Sequence, residues 1–221
     1  MLNTWAFYWP GGQALAKYLL ENPDVIRSKK VLDLGCGCGA ATIAAVHAGA
    51  KLVIANDIDE VALAATELNC KINKVPSNLY STISENLVNS PFKQKTRKLL
   101  SNLDVILLGD LFYDSDFAAK MYIWLKQLKI FKNSFQSTLV EEYRDSSEIG
   151  DKENNTNHFK NQEQTEELFE NAPKILIGDP GRHGLLNLKN KFNILEEYPL
   201  PGYVIREHYG FSTAKVLEMK F

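Results

Sequence analysis

The sequence predicts an α/β fold: a doubly wound sheet, mostly parallel, with helices on both faces and an antiparallel C-terminal strand. Three observations predict it. Apolar strand-like runs alternate with helical patterns along most of the chain. The run Val31-Leu32-Asp33-Leu34 passes directly into Gly35-Cys36-Gly37-Cys38-Gly39 and then Ala40–Ala48, which reads as strand, glycine turn and helix start. After Asp104, the stretch Val105-Ile106-Leu107-Leu108-Gly109 is apolar without interruption, as in a parallel strand covered on both faces.

The elements follow in order. Residues 1–28 hold an aromatic approach segment around Trp5-Ala6-Phe7-Tyr8-Trp9-Pro10-Gly11-Gly12 and a helix from Gln13 to about Asn22, with Ala14, Leu15, Tyr18 and Leu19 on one face. Pro23 stops it, because proline disfavours helical geometry in the residue before it. The main domain spans 29–221. Lys30–Leu34 is the first strand and Lys51–Asn56 the second. Asp59 caps a helix to about Asn73, whose expected buried stripe is Ala62, Ala65, Leu68 and Ile72. Leu79–Ile83 and Asp104–Gly109 are the third and fourth strands. A helix runs from about Asp116, a possible cap, to Lys129. Lys174–Gly178 is the fifth strand; Phe192–Tyr198 and Thr213–Met219 form an antiparallel edge pair with no convincing helix between them. Right-handed crossovers put the carboxyl ends of strands one, two and four on one rim, where ligands bind. Residues 133–172 are polar and read as a disordered insertion, too poor in apolar groups to offset their ordering entropy.

With 221 residues there is room for a substantial core. The net charge of −2 does not point to nucleic acid. Residues 141–170 carry ten acidic and three basic side chains, so the remainder is mildly basic. Cys36, Cys38 and Cys70 are odd in number and two sit in the glycine turn, which suits a reducing compartment rather than a disulfide framework. No CxxC pair or histidine cluster suggests a metal, and no run of about 18 apolar residues suggests a membrane span. No basic, acid-poor leader precedes Trp5, so either there is no cleavable address or the chain begins after it.

The alternating glycines let a backbone pass beneath a bulky ligand and present its N–H groups. A dinucleotide site of the GxGxxG type spaces them differently. Asp57, at the end of the second strand, can accept from both ribose hydroxyls of a nucleoside. Together these residues resemble the S-adenosylmethionine (AdoMet) site of class I methyltransferases. In that arrangement Gly35, Gly37 and Gly39 run under the methionine moiety, and Asp33 meets its ammonium directly or through water. Asp57 binds the ribose, Ile58 flanks the adenine and Asn86 pairs with its edge, unless Asn86 simply faces solvent in a hydrophilic loop. Trp9 stacks on the adenine, stands at the substrate mouth, or simply covers the sheet edge. Asp110 falls beside the transferred methyl, where a carboxylate opposes the positive charge moving onto the attacking nitrogen. It also favours the charged, unreactive form of a lysine, while desolvation pushes the other way. Phe112 and Tyr113 either wall a lysine channel or pack in the core. Asp179 and Arg182 are candidate grips for the substrate on the same rim, or parts of a turn. The four histidines are scattered, and no Ser/His/Asp relay is discernible.

Trp9-Pro10-Gly11-Gly12-Gln13-Ala14-Leu15, Asn22-Pro23-Asp24, Val31-Leu32-Asp33-Leu34-Gly35, Ala55-Asn56-Asp57-Ile58-Asp59, Gly109-Asp110-Leu111-Phe112-Tyr113-Asp114 and Leu176-Ile177-Gly178-Asp179-Pro180-Gly181-Arg182 resemble the electron transfer flavoprotein β-subunit lysine methyltransferases. These belong to the seven-strand protein lysine methyltransferases with a DxxY-type motif. The resemblance runs from about Trp5 to Arg182 outside the insertion, and more loosely to the C-terminus. It implies AdoMet as cofactor, the flavoprotein β subunit as protein partner, a monomer without nucleic acid or membrane, and the mitochondrial matrix, with the cytoplasm as alternative. It gives Asp110 the lysine-orienting role, with Tyr113 completing the motif. Three other readings stand beside it: a ribosomal protein L11-type methyltransferase, a non-catalytic AdoMet-binding module and a nicotinamide-dependent oxidoreductase, the last opposed by the glycine spacing.

Overall fold

In the computed structural model, residues 8–89, 94–147, 172–186, 188–207 and 210–220 are described. Seven strands form one sheet: β1 (Lys30–Leu34), β2 (Leu52–Asn56), β3 (Tyr80–Ile83), β4 (Val105–Gly109), β5 (Lys174–Asp179), β6 (Phe192–Pro199) and β7 (Thr213–Met219). Their order is β3-β2-β1-β4-β5-β7-β6. The pairs from β3 through β5 are parallel, and β7 runs antiparallel to both β5 and β6. The chain therefore reverses sheet direction between β1 and β4, which opens a crevice at the carboxyl ends of these strands.

Side chains along each central strand alternate between two layers. Val31, Val53, Leu107 and Leu176 join α1 (Pro10–Glu21) and α2 (Ala40–His47) in one core cluster. Leu32, Ile54, Ile106, Leu108 and Ile177 face the other side, with Leu100 of α4 (Gln94–Ser101) and Trp124, Leu125 and Leu128 of α5 (Ser115–Ser147). α1 starts at Pro10, three residues before the expected Gln13. Proline suits a first helical turn, where its missing N–H would have no intrahelical partner.

Four expectations are corrected. The buried face of α3 (Glu60–Ile72) is Ala62, Leu63, Thr66 and Cys70, whereas Leu68 and Ile72 are 58% and 66% exposed. The small side chains at 62, 66 and 70 let the helix lie close against the glycine turn, and that contact outweighs the larger apolar stripe. The segment from 133 to 147 continues α5 as helix rather than beginning a disordered insertion. Extending an existing helix costs far less than nucleating one. The rest of the proposed insertion, 148–171, lies outside the described residues. A short helix, Gly202–Glu207, separates β6 from β7. The cap of α5 is Asp114, whose Oδ1 accepts from the Phe117 N–H at 2.7 Å, not Asp116. α4 was not anticipated either. The Asp59 cap of α3 is present, accepting from Val61 N–H at 2.9 Å.

Candidate functional site

The carboxyl ends of β1, β2 and β4 enclose a cavity of about 650 Å³, within the usual range for small-molecule sites. From β1 it takes Leu34, Gly35 and Gly37; from β2, Asn56, Asp57, Ile58 and Asp59; after β3, Asn86, Leu87 and Val88. Gly109, Asp110, Leu111 and Tyr113 close the β4 side, with Phe117 and Met121 of α5 and, from the flanks, Trp9 and Arg182.

The glycine turn is shaped by its backbone. Gly35 has φ +67° and an added Cβ would lie 2.7 Å from the Leu111 side chain, so the close approach requires glycine. Asp57 braces the turn: its Oδ2 accepts from Gly37 N–H at 3.0 Å and its Oδ1 from Asp59 N–H at 3.0 Å. Each of these oxygens keeps a further acceptor position, which fits two ribose hydroxyls. Ile58, 70% exposed, Leu87 and Val88 supply an apolar slot suited to a flat heterocycle. Asn86 lies in the wall, its Oδ1 accepting from Asn89 N–H at 2.9 Å. The cavity is lined by the carboxylates of Asp57, Asp59 and Asp110 against the single guanidinium of Arg182, a charge balance that suits a cationic ligand. By donor set, charge and shape, these residues fit AdoMet.

Four expected cofactor or substrate contacts, Asp33, Gly39, Phe112 and Asp179, do not line the cavity. Asp33 is buried under the turn rather than in the cavity wall, and Thr42 Oγ1 donates to its Oδ2 at 2.6 Å. Burial pushes its carboxyl up to about 6, with the Thr42 hydrogen bonds pulling back. Gly39, at φ +85°, does not line the cavity; an added Cβ would be 2.8 Å from Thr66, so it sets the approach of α2 to α3. Phe112 is fully buried and meets Phe192 edge-on, ring centres 6.5 Å apart, so it packs in the core instead of walling a channel. Its neighbour Tyr113 is 64% exposed at the mouth and stacks on Phe117 at 6.3 Å.

Asp110 stands at φ +56° in the turn after β4, a conformation rare for a non-glycine residue. Its Oδ1 accepts from Arg182 Nε and Nη2 at 3.0 and 2.8 Å, and its Oδ2 accepts from Gly12 N–H at 2.9 Å. Burial raises its carboxyl, and Arg182 and the backbone N–H groups at Gly11 and Gly12 partly offset this. Asp179 does not touch the cavity. Its Oδ1 accepts from the N–H groups of Gly181 and Arg182 at 2.7 and 2.6 Å, which shapes the turn that carries Arg182. Its Oδ2 is buried without a partner, and burial pushes the carboxyl up to about 6.

Sequence reasoning missed several contributors. Asn56 is buried and its Nδ2 donates to the carbonyls of Ile83 and Glu85, both at 2.9 Å, tying the β2 end to the loop that bears Asn86. Phe117 and Met121 were overlooked, although their four-residue spacing in α5 would have placed them on one helix face. Among the described residues, no group of three His, Cys, Asp or Glu is placed to hold a metal ion, and no helix is long and apolar enough to cross a membrane.

The sheet order, with the glycine turn and Asp57 on its carboxyl rim, defines a class I AdoMet-dependent methyltransferase. A solved magnesium protoporphyrin IX methyltransferase from Synechocystis PCC 6803 with bound SAH shares the fold, with a TM-score of 0.50 and 15% identity over 95% of this chain and 81% of that one. The family model of ribosomal protein L11 methyltransferase matches residues 13–111. The electron transfer flavoprotein beta subunit lysine methyltransferase homolog of Caenorhabditis elegans is 36% identical over 98% of this chain and 78% of its own length. The Homo sapiens electron transfer flavoprotein beta subunit lysine methyltransferase is 49% identical over 96% of this chain, which spans 63% of it. The chain belongs to the family of electron transfer flavoprotein β-subunit lysine methyltransferases.

Proposed function

We propose that this chain methylates lysine side chains of the electron transfer flavoprotein β subunit, using AdoMet. The observation that carries the reading is the pairing, in one cavity, of a nucleoside end built on Asp57 and a reactive end built on Asp110 and Tyr113. AdoMet, when bound, supplies a methyl group activated by its sulfonium. The glycine turn and Asp57 hold the ligand, and Leu111 and Trp9 exclude water from the space between the two ends. Asp110 fixes the direction from which an amine approaches. Tyr113 and Phe117 offer aromatic faces at the mouth for the aliphatic stem and head of a lysine.

On this reading the enzyme acts as a monomer on a folded protein, with no nucleic acid or membrane, and works in the mitochondrial matrix. The support for the location is the substrate named for its relatives, and expression in cells with organelle fractionation tests it. A second reading, methylation of a ribosomal protein of the L11 type, is favoured by the family model over 13–111. Purified enzyme presented with each protein, with mass spectrometry of every lysine, separates the two. Modification of the ribosomal protein alone overturns the first reading. Binding of AdoMet without transfer to either protein would indicate a non-catalytic module.

A further inference from the structure

The Asp110 carboxylate is already engaged within the chain. Arg182 gives Oδ1 two hydrogen bonds and Gly12 gives Oδ2 one. The pair is enclosed, with side chains 12% and 5% exposed for Arg182 and Asp110. The guanidinium is itself held, lying 5.1 Å from the Trp9 ring centre and 5.8 Å from that of Phe211, while the Arg182 N–H is taken by Asp179. Arg182 cannot swing away without losing these contacts together.

A bare carboxylate beside a lysine amine would raise the amine's pKa and hold it as ammonium, with no lone pair for attack. A guanidinium does not deprotonate, so pairing cancels that field at any working pH. A carboxylate has about four acceptor positions. Arg182 and Gly12 occupy three, and the Gly11 N–H also bears on the carboxylate, so Asp110 is held in one orientation toward the cavity.

We propose that Arg182 is a positioning residue for methyl transfer: it neutralises and fixes Asp110, so that the target amine binds in its neutral form and meets a carboxylate held in one orientation. This rests on the lysine methyltransferase reading above. The other titratable groups around the pair are Asp179 on the Arg182 turn and, around the cavity, Asp57, Asp59 and Tyr113. The carboxylates among them also favour a charged amine. Arg182 is the only lysine or arginine lining the cavity among the described residues, so the effect of its charge is not duplicated.

The test is the pH profile of kcat on purified flavoprotein β subunit at saturating AdoMet, which reports ionisations in the enzyme–substrate complex. Arg182→Gln moves the acid limb upward by about one unit or more, a loss of about tenfold in rate below it. Arg182→Lys keeps the charge and leaves the limb in place, at a lower kcat. The double variant Asp110→Asn/Arg182→Gln removes both charges of the pair, so no uncompensated carboxylate is left at position 110, which keeps the test available if Arg182→Gln does not fold. Its limb stays at the wild-type position. A purely structural role would lower kcat in every variant and move the limb in none, and that result overturns the proposal, as does an upward shift in the double variant. A second readout needs no substrate: a carboxyl-carbon NMR titration of Asp110 in the full chain. Its midpoint rises in Arg182→Gln, and an unmoved midpoint overturns the proposal. Failure of the wild-type enzyme to methylate the flavoprotein refutes the proposed substrate instead, and the NMR arm still decides the role of Arg182.

Discussion

Replacing Gly11 by alanine tests whether the Trp9–Gly12 segment is locked onto the rim that bears Asp110. A Cβ added at Gly11 overlaps the Gly178 carbonyl oxygen and lies 2.5 Å from its carbon and 2.6 Å from Asp110 Oδ2. Ordinary contacts of this kind lie near 3.5 Å, so the start of α1 must retreat by about 1 Å. The Gly12 N–H to Asp110 bond, now 2.9 Å, then stretches past the hydrogen-bond limit. Overpacking costs about 1–3 kcal/mol, and loss of a bond to a charged acceptor about 1.5–3 kcal/mol. The expected total is about 2.5–6 kcal/mol, or a fall in Tm of roughly 5–24 °C for a chain of this size. Gly12 is the control. Nothing lies within 4 Å of a Cβ built there, and alanine is favoured over glycine inside a helix by about 1 kcal/mol. Gly12→Ala should leave Tm unchanged or slightly raised. Thermal melts followed by circular dichroism, with urea curves on the same proteins, measure both. If Gly11→Ala melts with the wild type, or the two variants lose stability equally, the proposed close approach of α1 to β5 is wrong.

Asp57→Ala removes two charged ribose acceptors, each worth about 1.5 kcal/mol, so AdoMet affinity should fall roughly 100-fold by calorimetry; an unchanged Kd would remove Asp57 from the ligand site. Phe112→Leu should cost about 1–2 kcal/mol of stability with no change in KM for the protein substrate. A raised KM at full stability would restore Phe112 to the substrate channel. Asp179 yields a pH prediction. Burial lifts its carboxyl to about 6, above the roughly 3.9 of an unfolded aspartate. The native state therefore binds more protons between these values, and stability is lost as pH rises from about 4 to about 6 and is level above. Asp179→Asn lacks this dependence, so its stability relative to wild type should improve across the window by up to about 3 kcal/mol. Asp33, also near 6, contributes alike to both proteins and cancels. Parallel denaturation curves at the two ends of the window would disprove the burial argument.

The central parallel strands could be read from the chain because a buried parallel strand must be apolar on both faces, and β4 and β5 satisfy this over adjacent residues. The glycine turn was legible for a related reason: Gly35, Gly37 and Gly39 all adopt positive φ, which other residues avoid. The face of α3 was not legible. Its pattern allows two stripes, and only contact with the glycine turn selects the one through Thr66 and Cys70.

The sequence by itself determined which residues could carry charge to the rim, because Asp57, Asp110 and Arg182 each follow a strand whose end is set by local pattern. It also determined that the backbone at the first turn could pass beneath a ligand. Only the tertiary structure decided how those groups are used. Whether a side chain after a strand points into the crevice or into the core depends on one backbone conformation, so Phe112 is buried and Tyr113 is at the mouth. The link from Asp110 to Arg182 joins residues 72 positions apart, and that to Gly12 spans 98. Such pairings arise from packing β4 beside β5 with α1 across them, and no local periodicity encodes them.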